Sequence, residues 1–303
     1  MTADSAARAR TDDEWADWLL EERFGGSHLV ELAVKTSLLH WRNRVLQNAR
    51  IRPGDTVLDV GTGDGLVGLG ALGLVGAGGR VVFSDISVRL LDRCREVVNG
   101  SGMPGRCDYL VASAGALGAV PDRSVDVVTT RSVLMHLVDR QGALAEFHRV
   151  LRPGGRLSCF ESMARQTTDL RRGEFRGYDV TPVQGLVDRV CAAAPNGNLT
   201  ATPAMLSLDE RQLTHLATLA GFGEVRLTLE LEVDHPNPVR DWNFFWRVPL
   251  HPGLPTLEAA ASAALLPSET DSLVAHLRPL VEAGAGVRRQ AVAYLTATRR
   301  ADC

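Results

Sequence analysis

The residues whose types and spacing best suit chemistry lie in the segment Val57–Gly65, which has the sequence VLDVGTGDG. Its three alternating glycines let the backbone turn tightly and approach a ligand without interference from a Cβ atom. Two carboxylates, Asp59 and Asp64, lie in the same segment. They would repel a pyrophosphate and attract a ligand that carries a sulfonium and an ammonium group. The third glycine of a dinucleotide-binding GxGxxG pattern would fall on Leu66, so the segment favours S-adenosylmethionine over NAD.

A further carboxylate, Asp85, ends a short apolar run and precedes Ile86 and Ser87. A carboxylate at the end of a second strand can accept hydrogen bonds from both hydroxyls of a ribose. The alternative is that Asp85 caps a helix that begins near Ser87. We expect ribose binding, because the glycine-rich turn lies upstream in the same α/β pattern.

Alternating strand and helix patterns must position these residues. Two helical segments precede the first strand, and helical stretches separate the strands that follow. The predicted strands cover residues 56–60, 81–84, 109–112, 125–130, 156–160, 225–231 and 291–298. Units of this length favour a parallel sheet with helices on both faces.

From Ile51 to Ser162 the chain resembles the class I S-adenosylmethionine-dependent methyltransferases. The resemblance rests on the glycine-rich turn, Asp85, the fourth-strand residues Asp126-Val127-Val128, and the sequence LRPGGR at 151–156. It implies an α/β fold, a doubly wound and mostly parallel sheet of seven strands in the order 3-2-1-4-5-7-6. The seventh strand of such a sheet is antiparallel and lies beside the sixth.

The same resemblance predicts the domain organisation. We expect an N-terminal helical cap over residues 1–50 and a methyltransferase domain over residues 51–303. Insertions at about 163–206 and 234–284, after strands five and six, would then form a cap over the substrate.

The resemblance also assigns the cofactor contacts. It implies that the glycine turn lies against the methionyl part, that Asp59 holds the amino group directly or through water, and that Ile86 packs on the adenine. Family members usually have an acidic residue that reaches the adenine amino group, but Ser113 occupies that position here, beside the backbone of Ala114. The predicted cofactor-binding residues are Asp59, Gly61, Thr62, Gly63, Gly65, Asp85, Ile86, Ser113, Ala114 and Arg131.

Three residues are candidates for proton transfer to or from the substrate. His136 follows the fourth strand near the expected methyl position, and an imidazole suits proton removal near neutral pH. The alternative is a histidine packed on the adjoining helix. His40, beside Trp41, and Glu161, at the end of the fifth strand, are the other candidates. Methyl transfer needs no covalent intermediate, so a general base is optional.

Four aromatic residues lie within residues 242–246, in a chain whose aromatic content is 5%. Such a concentration predicts either a substrate wall or a satellite core beneath a long insertion. The segment 163–206 would form the other part of the cap. The predicted substrate-contacting residues are Trp41, Tyr178, Trp242, Phe245 and Trp246.

Composition narrows the classes of partner. The net charge of −3 gives no basic excess for binding nucleic acid. One short basic cluster, Arg171, Arg172 and Arg176, is interpreted as a solvated loop. The five cysteines have no CxxC spacing and no histidine pair has zinc-ligand spacing, so we expect no metal. We find no signal peptide or membrane span and expect a cytoplasmic protein, with a homodimer among the open oligomeric states.

The sequence therefore predicts an S-adenosylmethionine-dependent methyltransferase that acts on a small molecule, a specialised metabolite of natural-product biosynthesis. One alternative is a peptide or protein side-chain methyltransferase, which would need an open groove. Another is a catalytically inactive methyltransferase-like binding protein, for which the neutral Ser113 is the supporting feature. A nicotinamide-dependent oxidoreductase is disfavoured by the acidic glycine turn.

Overall fold

A computed structural model describes residues 14–101, 104–167 and 173–301 of the chain. Within these residues, nine strands are present. They are β1 (Thr56–Val60), β2 (Arg80–Asp85), β3 (Cys107–Val111), β4 (Val125–Arg131), β5 (Leu151–Ser162), β6 (Glu174–Phe175), β7 (Tyr178–Asp179), β8 (Phe222–Asp234) and β9 (Arg288–Arg299). Seven of them form one sheet in the order β3-β2-β1-β4-β5-β9-β8, and β6 pairs with β7 separately.

The predicted strand order is confirmed, with β8 and β9 as the predicted sixth and seventh strands. The strands β1 to β5 pair in parallel, whereas β9 runs antiparallel to both β5 and β8. Four of the five residues of β1 and all but two of those of β4 are buried, as expected of central strands covered on both faces. The long strand β8 instead alternates partly buried with exposed residues.

The helices of the described ranges cover both faces of the sheet and build the connections. A π-helical turn at Trp18–Glu22 precedes them. The α-helices are α1 (His28–Ala49), α2 (Leu66–Leu72), α3 (Val88–Gly100), α4 (Arg140–Val150), α5 (Gln184–Ala193), α6 (Pro203–Ser207), α7 (Glu210–Leu219), α8 (Trp242–Arg247), α9 (Leu257–Ala264) and α10 (Pro267–Ala283). Short 3-10 turns lie at Pro104–Arg106, Leu134–His136, Ala164–Gln166, Thr181–Val183 and Pro195–Gly197. None of these helices is long and apolar enough to span a membrane.

The predicted cap over residues 1–50 divides into two parts with different roles. Helix α1 packs on the sheet, because its residues Val45, Leu46 and Ala49 are buried in one cluster with the β1 and β2 side chains. The Oγ of Ser158 on β5 also donates a hydrogen bond of 2.9 Å to the Val45 carbonyl. Of the described N-terminal residues, it is the segment 14–27 that reaches the ligand-binding edge of the sheet.

Three buried apolar clusters stabilise the molecule. Two flank the sheet and include residues of β1, β4 and β5. The third, which we call the cap core, consists of side chains from residues 175–199 and 245–281. Side chains from both predicted insertions therefore pack against each other in a cluster of their own.

Candidate active site

A cavity of about 410 Å³ lies at the carboxyl ends of β1, β2 and β4. This edge, where the strand order reverses, is where open α/β sheets bind ligands. Residues from eight parts of the chain form its wall. They are Trp15, Trp18, Leu19, Arg23, Gly61, Gly63, Asp85, Ile86, Leu90, Ala112, Ser113, Ala114, Arg131, Ser132, Val133, Met135, His136, Leu137, Ser162, Met205, Leu250 and His251. We call this the cofactor cavity.

The glycine-rich turn forms the floor of the cofactor cavity. Gly61 and Gly63 both line the cavity and have φ angles of +62° and +57°, which residues other than glycine rarely adopt. A Cβ atom on Gly61 would also collide with the side chain of Val133. Gly65, with φ +85°, lies at the start of α2 and does not line the cavity. The bare backbone at the first two positions is the cradle that a bulky ligand needs.

Asp59 holds the turn together from beneath. Its Oδ2 accepts hydrogen bonds from the Thr62 hydroxyl (2.7 Å) and the Gly68 N–H (2.9 Å), and its Oδ1 accepts one from the Thr129 hydroxyl (2.7 Å). Burial raises the pKa of Asp59 to about 6, although these three donors oppose the shift. Neither Asp59 nor Thr62 lines the cavity. Asp59 positions the turn, and its predicted contact with the cofactor amino group, directly or through water, stays a prediction.

Asp85 is a carboxylate that faces the cofactor cavity. It lines the cavity at the end of β2 and is 7% exposed. Its Oδ2 accepts a hydrogen bond from the Gly63 N–H (2.8 Å) and its Oδ1 one from the Ser87 N–H (3.0 Å). Each oxygen retains a further lone pair, enough for the two hydroxyls of a ribose. Helix α3 is capped instead by Ser87, whose Oγ accepts from the Leu90 N–H.

The adenine side of the cavity is largely apolar. Ile86, which is 38% exposed, lies there together with Ser113 and Ala114. The Ser113 Oγ accepts a 3.4 Å hydrogen bond from the Gly115 N–H. The hydroxyl can still donate to a base, which is the neutral contact predicted at this position. These residues and the glycine cradle fit an adenosyl group.

Two arginines line the cavity near the glycine turn. Arg131 ends β4, and Arg23 follows the π-helical turn and lies 3.5 Å from Asp64. Burial lowers the pKa of Arg23 to about 10, and the neighbouring positive charge of Arg131 contributes. Two cations in one wall could hold the carboxylate of the cofactor's amino acid. Sequence patterns give no signal for Arg23, because it follows a helix that carries no recognisable motif.

His136 and His251 form a hydrogen-bonded pair in the cavity wall. The His136 Nδ1 lies 3.3 Å from the His251 Nε2. The Gly253 N–H donates a 2.9 Å hydrogen bond to the His251 Nδ1, so a neutral His251 carries its proton on Nε2. That proton is donated to the His136 Nδ1. A neutral His136 must then carry its own proton on Nε2.

The pair is held in its neutral form. Burial lowers the pKa of His136 to about 3, with smaller effects from His251 and Arg131, and burial lowers the pKa of His251 as well. The ring of Trp15 packs edge-on against both, with centroids 4.8 and 5.0 Å away. This arrangement suits a neutral hydrogen-bond donor better than the predicted general base. Trp15 and His251 were not among the predicted site residues.

Glu161 positions the turn that carries His136. Its carboxylate is completely buried and accepts hydrogen bonds from the backbone N–H groups of Val133 (3.2 Å), Leu134 (3.0 Å) and Met135 (3.0 Å). Burial raises the pKa of Glu161 to about 7, and the three donors oppose the shift. Because Glu161 does not line the cavity, the structure does not support its predicted catalytic role.

Two further predicted residues lie away from the cavity. His40 is exposed on α1 and lines none of the cavities described here. Trp41 stacks on Phe160, with ring centroids 4.9 Å apart, and packs against the cluster beneath the sheet. The helical periodicity of α1 turns both side chains away from the carboxyl edge of the strands. Neither the catalytic role of His40 nor the substrate contact of Trp41 fits this geometry.

A second cavity, of about 390 Å³, adjoins the first and shares Ser162, Met205 and Leu250 with it. We call it the acceptor cavity. Tyr178 and Phe245, both predicted to contact substrate, line it. The remaining wall residues are Ala164, Thr167, Glu174, Arg176, Gly177, Thr200, Asn237, Val239, Phe244, Val287, Arg288 and Arg289.

Some side chains of the aromatic segment 242–246 line a cavity, and others pack in a buried apolar cluster. Phe244 and Phe245 face the acceptor cavity, whereas Trp246 is 6% exposed and packs in the cap core. Trp242 stacks on Trp246 with centroids 5.1 Å apart. Trp242 and Trp246 line a separate groove, so their predicted substrate contact does not fit the structure. In the described residues, no group of His, Cys, Asp and Glu is arranged to hold a metal ion.

The sheet order, the glycine cradle and Asp85 together define a Rossmann-like methyltransferase site. A family model described as a methyltransferase domain matches residues 58–159. The chain belongs to the class I S-adenosylmethionine-dependent methyltransferases, and its cofactor is S-adenosylmethionine.

The chain is similar to several proteins of this class. It is 35% identical over 185 residues to the ubiquinone/menaquinone biosynthesis C-methyltransferase UbiE of Francisella tularensis subsp. novicida, covering 61% of this chain and 73% of that protein. It is 30% identical over 187 residues to the UbiE of Teredinibacter turnerae, covering 61% and 74%. The YcgJ protein of Bacillus subtilis shares the fold, with a TM-score of 0.52 and 13% identity, over 87% of this chain and 99% of that one.

Proposed function

We propose that this methyltransferase transfers the methyl group to a small-molecule acceptor, a specialised metabolite of natural-product biosynthesis. The observation that carries the proposal is the acceptor cavity, which adjoins the cofactor cavity at Ser162, Met205 and Leu250. Its wall comes from both predicted insertions and from the start of β9. A wall built from several segments around about 390 Å³ suits a compact ligand.

In this proposal, the chain's own residues bind and orient the cofactor and the acceptor. S-adenosylmethionine, when bound, supplies a methyl group on a positively charged sulfur that is already activated for displacement. Asp85 would accept hydrogen bonds from the ribose, and the cradle at Gly61 and Gly63 would lie against the methionyl part. Alignment of the acceptor and exclusion of water then account for the rate, and no covalent intermediate with the protein is needed.

His136 would act on the acceptor side as a donor. With its proton on Nε2 and its pKa far below neutrality, it can donate a hydrogen bond to a polar group of the acceptor molecule and so orient that molecule. It would not remove a proton. This role differs from the general base that the sequence predicts.

A peptide or protein substrate is less well supported, because an extended chain needs an open groove that leads to the cofactor. The cytoplasm stays the predicted location. The net charge of −3 disfavours nucleic acid as a partner.

Calorimetric titration with S-adenosylhomocysteine, with NADH as the control ligand, tests the cofactor side. We expect binding of S-adenosylhomocysteine alone, at micromolar strength or better. Methyl transfer from isotopically labelled S-adenosylmethionine to a library of small hydroxyl, amino and carbon acceptors, with synthetic peptides in parallel, tests the acceptor side. Label that enters peptides alone would refute the small-molecule proposal.

A further inference from the structure

Arg176 differs from the paired charges around it. It lines the acceptor cavity, where the sequence had suggested only a solvated basic loop; its companions Arg171 and Arg172 lie outside the described residues. Its Nη1 donates a 3.1 Å hydrogen bond to the Phe245 carbonyl and its Nη2 a 3.0 Å bond to the Leu199 carbonyl. These contacts fix the guanidinium in place without neutralising it.

The other charged groups in this wall are paired. The guanidinium of Arg289 binds the Glu174 carboxylate, and the Arg288 Nε donates a 2.7 Å hydrogen bond to Asp234. Among the residues that the structure describes, no carboxylate lies within ion-pair distance of Arg176. Within the described residues, one positive charge of the acceptor cavity is therefore left without a counterion.

The surroundings of Arg176 accommodate a cation but do not satisfy all of its hydrogen-bond donors. The rings of Phe175 and Phe245 lie 5.3 and 5.5 Å from its guanidinium carbon. Its Nε is buried and has no hydrogen-bond partner within the described part of the chain. Burial lowers the pKa of Arg176 to about 10, with a small opposing effect from Cys191, so the charge persists at neutral pH.

A second buried arginine shows what a purely structural role requires. Arg140 is 5% exposed and does not line either cavity. Its Nε and both Nη groups donate hydrogen bonds, to the Leu134 and Ala204 carbonyls and to the side chains of Gln212 and Ser207. Every nitrogen of Arg140 is used, whereas Arg176 lines a cavity and its Nε has no partner among the described residues.

We propose that Arg176 is an anion-binding residue of the acceptor cavity and that the methyl-accepting substrate carries a carboxylate which binds there. The inference rests on the proposed function and adds the chemical class of the substrate. A single unbalanced positive charge matches a single negative one, and the planar guanidinium matches a planar carboxylate. The aromatic and aliphatic remainder of the wall would bind the apolar part of the same molecule.

The test uses two probes of the same shape, 2-naphthoate and 2-naphthamide, titrated calorimetrically with and without S-adenosylhomocysteine. We expect the wild type to bind the naphthoate at least about tenfold more tightly than the naphthamide. Arg176→Gln should reduce this ratio to below about threefold, while Arg176→Lys, which keeps the charge, should retain part of it. The matched control is Arg247→Gln, a change of equal charge at an exposed residue outside the cavity, which should keep the full ratio.

Equal binding of the two probes to the wild type, or no binding of the naphthoate, would overturn the inference. A ratio that survives Arg176→Gln would do the same. If Arg176→Gln fails to fold, the wild type and Arg176→Lys still decide the question. Since the S-adenosylhomocysteine titration is separate, its failure would count against the proposed function, and a missing charge preference would count against Arg176 alone.

Discussion

At the scale of single residues, three buried carboxylates serve different purposes. Asp59 and Glu161 use their oxygens to hold backbone and hydroxyl donors of the protein itself. Asp85 accepts two N–H donors and still faces the cofactor cavity. All three lie at or near the ends of central strands, so position in the sequence does not distinguish them. The hydrogen bonds that each carboxylate already has decide whether it can bind a ligand.

We expect Asp85→Asn to weaken S-adenosylhomocysteine binding by about 1–3 kcal/mol, because charge-assisted hydrogen bonds to the ribose are lost. Calorimetric titration measures the change, with Asp108→Asn as a control, since Asp108 is an exposed residue of β3. Unchanged affinity in a folded Asp85 variant would refute the placement of the ribose.

Binding of S-adenosylhomocysteine should also depend on pH. Burial raises the pKa of Asp85 above its ordinary value, although the N–H donors of Ser87 and Gly63 oppose the shift. The carboxylate therefore becomes protonated at a higher pH than an exposed aspartate, and affinity should fall as the pH falls through that raised pKa. The Asp85→Asn variant should lack this acidic decline.

At the scale of elements, the short turn Leu134–His136 places Met135 and His136 in the wall of the cofactor cavity. Its first N–H groups converge on the Glu161 carboxylate at the end of β5, and its last residue reaches the His251 ring. The Arg140 guanidinium binds the Leu134 carbonyl from the other side, at 2.9 Å. The turn is thus held by side chains from three other parts of the chain.

Replacing Glu161 by Gln should change how stability depends on pH. In the folded state the pKa of Glu161 is about 7, above its ordinary value of 4.5, so its contribution to stability is fully present below about pH 4.5 and is lost as the pH rises through 7. Relative to the wild type, Glu161→Gln should therefore gain stability over this range, by roughly 3 kcal/mol.

Urea unfolding of both proteins at a series of pH values measures this difference. A matched change at an exposed glutamate, Glu96→Gln, should show no comparable trend. If the wild type instead gains stability over Glu161→Gln as the pH rises, the three N–H donors outweigh burial and the carboxylate is stabilised in its charged form.

The sequence predicts those parts of the site that depend on local pattern. The strands, the glycine cradle and Asp85 follow from apolar periodicity and from residues close together in the chain, whereas the strand order follows from the family resemblance that these residues carry. His251 could not be found in this way, because it lies 115 residues from its partner His136 and follows no motif. The structure places His40 and Trp41 outside both cavities, and the helical pattern of α1 could not predict this because it does not state which face packs on the sheet.

At the scale of the whole molecule, the packing separates cofactor binding from acceptor binding. The clusters on the two faces of the sheet support the strands that carry Asp59 and Asp85, whereas the cap core supports the walls of the acceptor cavity. The two cavities meet at a few shared residues. Substitution of a buried residue in one cluster should therefore have little effect on the ligand binding that another cluster supports.

A pair of Leu→Ala substitutions tests this separation. Leu277, in the cap core, and Leu58, beside Asp59 on β1, are both completely buried. Each substitution should lower the free energy of unfolding by about 2–5 kcal/mol. Only Leu58→Ala should also weaken S-adenosylhomocysteine binding, because it alone disturbs the strand beneath the glycine turn. Urea unfolding and calorimetry measure the two effects, and an equal loss of affinity in Leu277→Ala would contradict the separation.

The separate cap core has a consequence for evolution. A lineage can accumulate changes in the cap, and so explore new acceptors, while the machinery that holds the methyl donor is inherited intact. Selection on substrate range and selection on the donor site then act on different sets of residues. Under the proposed function, such a division lets the acceptor cavity change while the residues that hold the methyl donor are kept.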